Sequence, residues 1–474
     1  MKNKYLKIAS ICAVLFLASC SDSSFLDVDS QKNVDADDSE EVYEPVTFVN
    51  GVYGMFTDWD YAFSYLGITE IISDNADKGS SSTDTGSDKD ILDNLTYTST
   101  DGSIAAMWEH WYKSIGRATT AINYTESYGL TDESYKNRLI GEAKFLRALN
   151  YFFLVRGWGA VPIQEQDLVT RASVSDVYAY IESDLLSAIQ TLPLKSAYSS
   201  SDLGRATKGA AMGLLSKVYL YQENWAKAYA YADSVITSGE YGLESDYSVL
   251  WHESSENGTE SLFEFQARGE SVAHGVQQYS QTQGARGTTG WGWGFNVPSD
   301  DMLEVFNDEG DTIRRDATII FRNSTLWDGR VVGATENPMY NLKAYSSADA
   351  GAEDTDKNIR YLRLGEIYLI RAEAANELGN TDQALSDLNT IRERVKLADV
   401  TTTDQDELRE AIWHERRLEL AFEHDRWFDL IRTGQAASVM QALGKPFVEG
   451  KHELFPIPNA QLIQTPDMEQ NPNW

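Results

Sequence analysis

The residues whose types and spacing could do chemistry are concentrated in Leu408–Arg432, LREAIWHERRLELAFEHDRWFDLIR. Glu415 and Glu419 stand four residues apart, a spacing open to two readings: the acid and base of a glycoside-cleaving carboxylate pair, or the acidic halves of ion pairs. The surrounding residues decide between them. Leu408, Ala411, Ile412, Leu418 and Phe422 recur every three or four positions, which is a helix-period apolar stripe, and both glutamates fall on it. A catalytic pair must face an open cleft, whereas a stripe packs inward, where a carboxylate is tolerated only with a cation and hydrogen bonds. Glu415, Glu419, Arg426 and Arg432 are therefore read as structural ion-pairing residues, with Arg416 and Arg417 as further cations nearby. Arg363 or Arg371 with Glu366 and Glu373 repeats the arrangement upstream. The pattern restarts at Trp427 and stops at Thr433-Gly434, a C-cap signal, so two tightly joined helices are predicted.

Little else offers reactive chemistry. The two cysteines, Cys12 and Cys20, lie within the first twenty residues, and the six histidines show no two-His zinc spacing. Asp84, Asp88 and Asp90 miss the EF-hand pattern and read as part of a solvated loop, Lys78–Asp90. No nucleophile elbow or phosphate loop is present, so neither cofactor nor metal is expected. The formal charge is −33, and it becomes −36 once the leader with Lys2, Lys4 and Lys7 is removed. That balance argues against nucleic acid, which demands a basic footprint.

Binding is better represented. Trp291, Trp293 and Phe295 are spaced by single residues and interleaved with Gly290, Gly292 and Gly294. In an extended segment alternate side chains share a face, so these rings would either form a platform for the flat faces of sugars or bury into a local core. Trp59 and Tyr61 form a second candidate surface, with Asp74, Asn75 and Asp77 as hydroxyl acceptors, and Trp327 is a further exposed-aromatic candidate. Trp108, Trp111 and Trp225 read as packing residues.

The elements that must position these groups are mainly helices. Lys2, Lys4 and Lys7 precede the apolar Ile8–Leu17 and then Leu17-Ala18-Ser19-Cys20, which resembles a bacterial lipobox with Cys20 as the lipidated residue. Residues 1–19 are read as a lipoprotein signal peptide and 20–38 as an acidic tether. Two or more acyl chains anchor stably where one binds marginally. Helical spacing follows in Ser39–Asp58, Ile104–Tyr124, Asp132–Val155, Ser173–Thr191, Thr207–Gln222 and Asn224–Ser238. An internal repeat appears when Thr207–Ser238 is laid on Leu364–Val395 with an offset of 156: Ala228 falls on Ala384 and Val235 on Ile391. Small residues recurring where helices approach closely follow tetratricopeptide logic. Between the copies, residues 239–358 lose periodicity and gain Gly, Ser, Thr, Asn and aromatics, which predicts an irregular insertion with a few strands. A tail, 435–474, is expected to lie extended on the body, with Trp474 in the core.

Several segments resemble the RagB/SusD family: Glu415–Glu423 with Arg426, Asp429-Leu430 and Arg432; Phe145–Pro162, with its Trp-Gly-Ala-Val-Pro turn; Phe25-Leu26-Asp27 after Cys20; and the endings Leu454–Pro458 and Gln470–Trp474. The resemblance covers essentially the whole mature chain. It implies a mainly α, tetratricopeptide-like helical-pair scaffold of four pairs, with Ile104–Val155 and Leu408–Ile431 as the remaining two. A single domain would span 39–474, its scaffold at 39–238 and 359–434 carrying the insertion. The implied function is that of a non-catalytic lipoprotein on the outer face of the outer membrane, which binds oligosaccharide or polysaccharide and delivers it to a SusC-like TonB-dependent transporter. A surface glycosidase and a protein- or peptide-binding repeat scaffold are the alternatives.

Overall fold

The structure, a computed structural model, describes residues 43–474 except 82, 85, 165–169, 270–274 and 352–354. The leader, Cys20, the tether and the expected helix start at Ser39 lie outside the described residues. Residues Pro45–Trp474 form one unit, mainly α-helical. Its principal helices are α1 (Pro45–Tyr53), α2 (Gly102–Ser127), α3 (Glu133–Trp158), α4 (Val174–Thr191), α5 (Lys208–Tyr221), α6 (Trp225–Ile236), α7 (Asp300–Glu309), α8 (Thr312–Thr318), α9 (Leu364–Glu377), α10 (Thr381–Arg394), α11 (Gln405–Glu419) and α12 (Arg426–Arg432). Six short strands, β1 (Ala76–Gly79), β2 (Ser261–Phe265), β3 (Phe295–Pro298), β4 (Ile319–Phe321), β5 (Met339–Asn341) and β6 (Ile359–Arg363), pair antiparallel as β1–β3, β2–β6 and β4–β5.

The repeat seen in sequence is structural. Adding 156 to the bounds of α5 gives the bounds of α9, and adding it to the start of α6 gives the start of α10, which runs two residues longer. Asn224 and Asn380 cap the second helix of each pair by accepting from the N–H three residues on, which satisfies one of the orphan donors of a helix start. Ala228, Ala232 and Val235 on α6, and Ala384, Leu388 and Ile391 on α10, are fully buried. Helices α2 to α6 pack consecutively, α6 meets α9, and α9 carries both α10 and α11. The largest core cluster lies between the early helices, where Trp111 stacks on Phe153 at 4.8 Å and 13°. α3 ends at Trp158, with Gly159 at φ +71° turning the chain and Val161 bridging to Ala172.

Two expectations need correction. The insertion is not only loop and strand, since α7 and α8 lie inside it. Ser299 caps α7, Asp300 and Asp301 occupy its first turn, Met302 and Phe306 bury one face and Gly310 closes it in the left-handed region. All four are start and stop signals, but the helix is too short to show a long periodic stripe. The tail likewise holds two short helices, Ala436–Ala442 and Asn459–Gln464. Its extended step does pack: Phe455 and Ile457 are buried, and the half-buried Trp474 stacks on Tyr97 at 5.1 Å while donating to the Lys451 and Leu454 carbonyls.

Candidate ligand-binding surface

The acidic stripe of α11 faces protein. Glu415 and Glu419 are both fully buried. Glu415 meets Arg314 at 2.6 Å and Arg392 at 2.7 Å; Glu419 meets Arg314 at 3.0 Å, Arg363 at 2.6 Å and also Arg394. The neighbouring cations expected from sequence serve other acids instead. Arg416 holds Asp429, Arg417 holds Asp74 at 3.0 Å, Arg426 grips Asp74 through two 2.7 Å bonds, and Arg432 joins Glu373 at 2.6 Å to Asp429 at 2.7 Å. Helix neighbours one or two positions apart point in different directions, so Glu419 takes its partners from α8, β6 and α10. Burial opposes ionisation of Glu419, but Arg394, Arg363 and Arg314 outweigh it and hold the carboxyl well below its ordinary range. A carboxylate so held is a poor proton donor.

The three-ring platform does not form. Gly294 (φ +74°) and Asn296 (φ +55°) break the extended run, so Trp291, Trp293 and Phe295 diverge. Gly292 is packed so closely that a Cβ there would lie 2.4 Å from the Gln281 carbonyl oxygen. Trp291 turns toward Tyr345 at 5.5 Å, with the Arg330 guanidinium 4.7 Å from its ring. Phe295 is buried against Phe63, which removes it from the ligand surface. Tyr61, Asp74 and Asn75 are also buried. Tyr61 accepts from Trp111 Nε1 at 3.1 Å and Asn75 from Arg417 at 2.9 Å. Burial works against Asp74 ionising, but Arg426 and Arg417 draw its carboxyl down to about 2. All three candidates belong to the frame, not to the surface; Asp77 is exposed on β1. Asp84 and Asp90 pair with Lys78, and Asp88 with Lys89, so each of the three aspartates has a lysine partner within the loop, and Ser87–Asp93 is helical.

Two aromatic surfaces remain. Trp59, in the short helix Trp59–Ala62, meets Trp293 edge to face at 5.7 Å and 61°, both rings half-buried. Trp327 is 50% exposed and sits in the turn between β4 and β5, closed by the Thr325–Val331 bridge and by Gly329 at φ +89°. Its ring stacks on His252 at 4.0 Å and 25°. Burial and Lys357 push the His252 imidazole below its ordinary pKa, so a neutral ring supports the tryptophan at pH 7. The turn is braced by Asp328, which accepts from the Tyr345 hydroxyl at 2.7 Å and from the Ala348 N–H at 2.6 Å. Beneath Trp327 lies a groove of about 390 Å³ flanked by His252, Phe321, Ser324, Leu326 and Asp316. It adjoins a second, of about 530 Å³, which shares Ser248 and Asp316 and reaches Arg394 and Lys396. A half-exposed ring beside a groove edged with hydroxyls, a carboxylate and cations can hold a flat, hydroxylated, uncharged ligand. Sequence could not supply His252, which lies 75 residues from Trp327, and no local signal marks it.

Comparison with known proteins places these features. A family model described as "SusD family" matches residues 321–474, and one described as "Starch-binding associating with outer membrane" matches residues 24–220. SusD-like protein P2 of Formosa agariphila is 30% identical over 90% of this chain and 91% of its own. Starch-binding protein SusD of Bacteroides thetaiotaomicron is 26% identical, over 80% of each chain. Among solved structures, a laminarin-binding SusD-like protein superposes with a TM-score of 0.78 at 27% identity, covering 92% of this chain and all of its own. With its paired helices, its ion-paired α11 and α12 and its packed tail, the chain belongs to the SusD family.

Proposed function

We propose that this protein is a non-catalytic glycan-binding lipoprotein of the outer membrane, facing the cell exterior through a lipid on Cys20, and that it delivers oligosaccharide or polysaccharide to a SusC-like TonB-dependent transporter. The observation that carries the reading is the Trp327–His252 stack, a half-exposed ring fixed over a groove. Trp59 and Trp293 are the second stacking surface. The relatives' names, starch-binding and laminarin-binding, set the ligand class to test first. A non-hydrolytic role is supported by the acidic residues of α9 and α11: Glu366, Glu373, Glu415 and Glu419 are buried against Lys217, Arg432, Arg314 and Arg363, whereas a cleaving pair has to flank the scissile bond.

Affinity electrophoresis through gels containing starch, laminarin and other neutral polysaccharides tests the reading. Retardation by at least one glycan, reduced for Trp327→Ala, is expected. Overnight incubation with the same oligosaccharides is expected to release no product. Retardation by none of the panel refutes glycan capture, and released sugar refutes the non-catalytic role. Co-purification with the neighbouring transporter tests delivery.

A further inference from the structure

Trp59 is flanked by two acids. Asp58 is exposed and Asp60 partly so, and both side chains approach His110, fifty residues away on α2. One ligand atom from each of the three lies within 4.8 Å of the other two. Two acids near a histidine mean little alone, but the state of His110 carries the argument further. Its ring is 5% exposed, and its Nε2 donates to the Met55 carbonyl at 2.7 Å. With its Nε2–H on that carbonyl, the ring turns Nδ1 toward the acids. Nδ1 faces the Asp60 carboxylate, with Oδ2 3.6 Å away. A metal-binding histidine usually donates its far N–H to a backbone carbonyl or carboxylate, which orients the near nitrogen toward the ion, and His110 is held in that way. Tyr61 packs edge-on against the same ring at 5.4 Å and fixes its plane.

The carboxylates are oriented as well. Asp60 Oδ1 accepts from Ser64 Oγ at 2.9 Å, leaving Oδ2 toward His110. Asp58 Oδ1 accepts from the Asp60 N–H at 3.1 Å, which leaves its second oxygen available. Ligand bonds of about 2.1 Å in a tetrahedral site place neighbouring donors about 3.4 Å apart, so the three groups must draw together on the ion, a movement open to the exposed Asp58. We propose that Asp58, Asp60 and His110 bind a first-row divalent transition cation, Zn²⁺ or Mn²⁺, on the surface turn that carries Trp59. An imidazole nitrogen with two carboxylates favours such ions over Ca²⁺, which prefers all-oxygen sites with more ligands.

The test is isothermal titration of chelator-treated protein with ZnCl₂, and with MnCl₂ followed by the loss of the free Mn²⁺ paramagnetic signal. One ion per chain is expected. Asp58→Asn and Asp60→Asn should each weaken binding about tenfold or more, as should His110→Gln. Asp58→Asn alters an exposed side chain, so a folding failure of the buried His110 variant leaves the test intact. A melting temperature that rises with Zn²⁺ in the parent protein, but not in Asp58→Asn, is the second expected readout. No uptake at millimolar metal, equal uptake by the parent and Asp58→Asn proteins, or tighter binding of Ca²⁺ than of Zn²⁺ would overturn the assignment. Metal binding is read without glycan, so its failure is distinct from failure of the glycan-binding reading.

Discussion

Glu70 gives the sharpest quantitative prediction. It lies in a π-helical turn, Gly67–Ile71, fully buried. One carboxyl oxygen accepts from the His424 N–H, while the other has no partner. Burial pushes its carboxyl up to about 8 from the ordinary 4.5, against the pull of the His424 N–H. The folded pKa is thus raised above the unfolded one, so stability from this group is fully present below about pH 4.5 and is lost as pH rises through about 8. The loss accrues at about 1.4 kcal/mol per pH unit, or about 4–5 kcal/mol across the window. Glu70→Gln keeps the acceptor but cannot ionise. Its amide nitrogen inherits the partnerless position at a pH-independent cost of about 1–3 kcal/mol. His424 does not confuse the reading: burial drives its imidazole down to about 3. Thr69 Oγ1 donates to the Tyr65 carbonyl at 2.7 Å, so it accepts from His424 Nδ1, and His424 Nε2 accepts from the Tyr279 hydroxyl at 3.0 Å. The assay is denaturant unfolding of parent and variant at pH values of about 5, 6.5 and 8. The variant should gain on the parent by about 1.4 kcal/mol per unit as pH rises. A flat difference between the two proteins, or one sloping the other way, would refute a neutral buried Glu70.

Three further outcomes follow from the same geometry. Trp327→Ala should weaken glycan binding by about 1–2 kcal/mol, about 5- to 30-fold in Kd, with the unfolding midpoint unchanged; calorimetry on the retained glycan checks it. Phe295→Ala should do the opposite, costing about 3–5 kcal/mol of stability while leaving Kd of the folded fraction unchanged, as measured by denaturation and calorimetry in parallel. Glu419→Ala should cost about 3–5 kcal/mol because it removes the carboxylate that the buried Arg314, Arg363 and Arg394 share, leaving three guanidinium groups short of one partner each. Removing the exposed Lys113 from its pair with Glu109 should cost under about 1 kcal/mol, so urea midpoints of the two variants should separate clearly.

The long helices were legible because burial imposes a period, and the 156-residue repeat was legible because Asn224 and Asn380 cap equivalent helices over equivalent small residues. What the sequence hid has a common cause, which is that it depends on residues far apart in the chain. Glu419 was placed correctly on an inward stripe, but its partners Arg314, Arg363 and Arg394 come from three other elements, while the arginines beside it point elsewhere. Spacing made Trp291, Trp293 and Phe295 look coplanar, and the positive φ of Gly294 undid it. That freedom is invisible in composition, since glycine permits an extended chain as readily as a turned one. His110 and Asp60 meet across fifty residues, as His252 and Trp327 do across 75.

The buried charges also explain how an irregular insertion can hold a ring in place. Arg363 ends β6, joining Glu260 at 2.8 Å just before β2, Glu419 of α11 and Glu423 at 2.6 Å in the turn after it. Lys343, just past β5, adds a 2.7 Å pair to Glu423, and Arg314 of α8 ties Asp311 to both glutamates of α11. A desolvated charge without its partner costs several kcal/mol, so an arrangement that displaced β2, β5 or α8 from the scaffold would leave several such charges exposed to that cost at once. The base of the insertion is thereby fixed to α11 and the turn behind it. The β4–β5 turn, which carries Trp327, makes none of these ion pairs and is held by Asp328, Tyr345 and Arg330 within the insertion itself. Substitutions in that turn can therefore move or replace the stacking ring without disturbing the buried ion pairs.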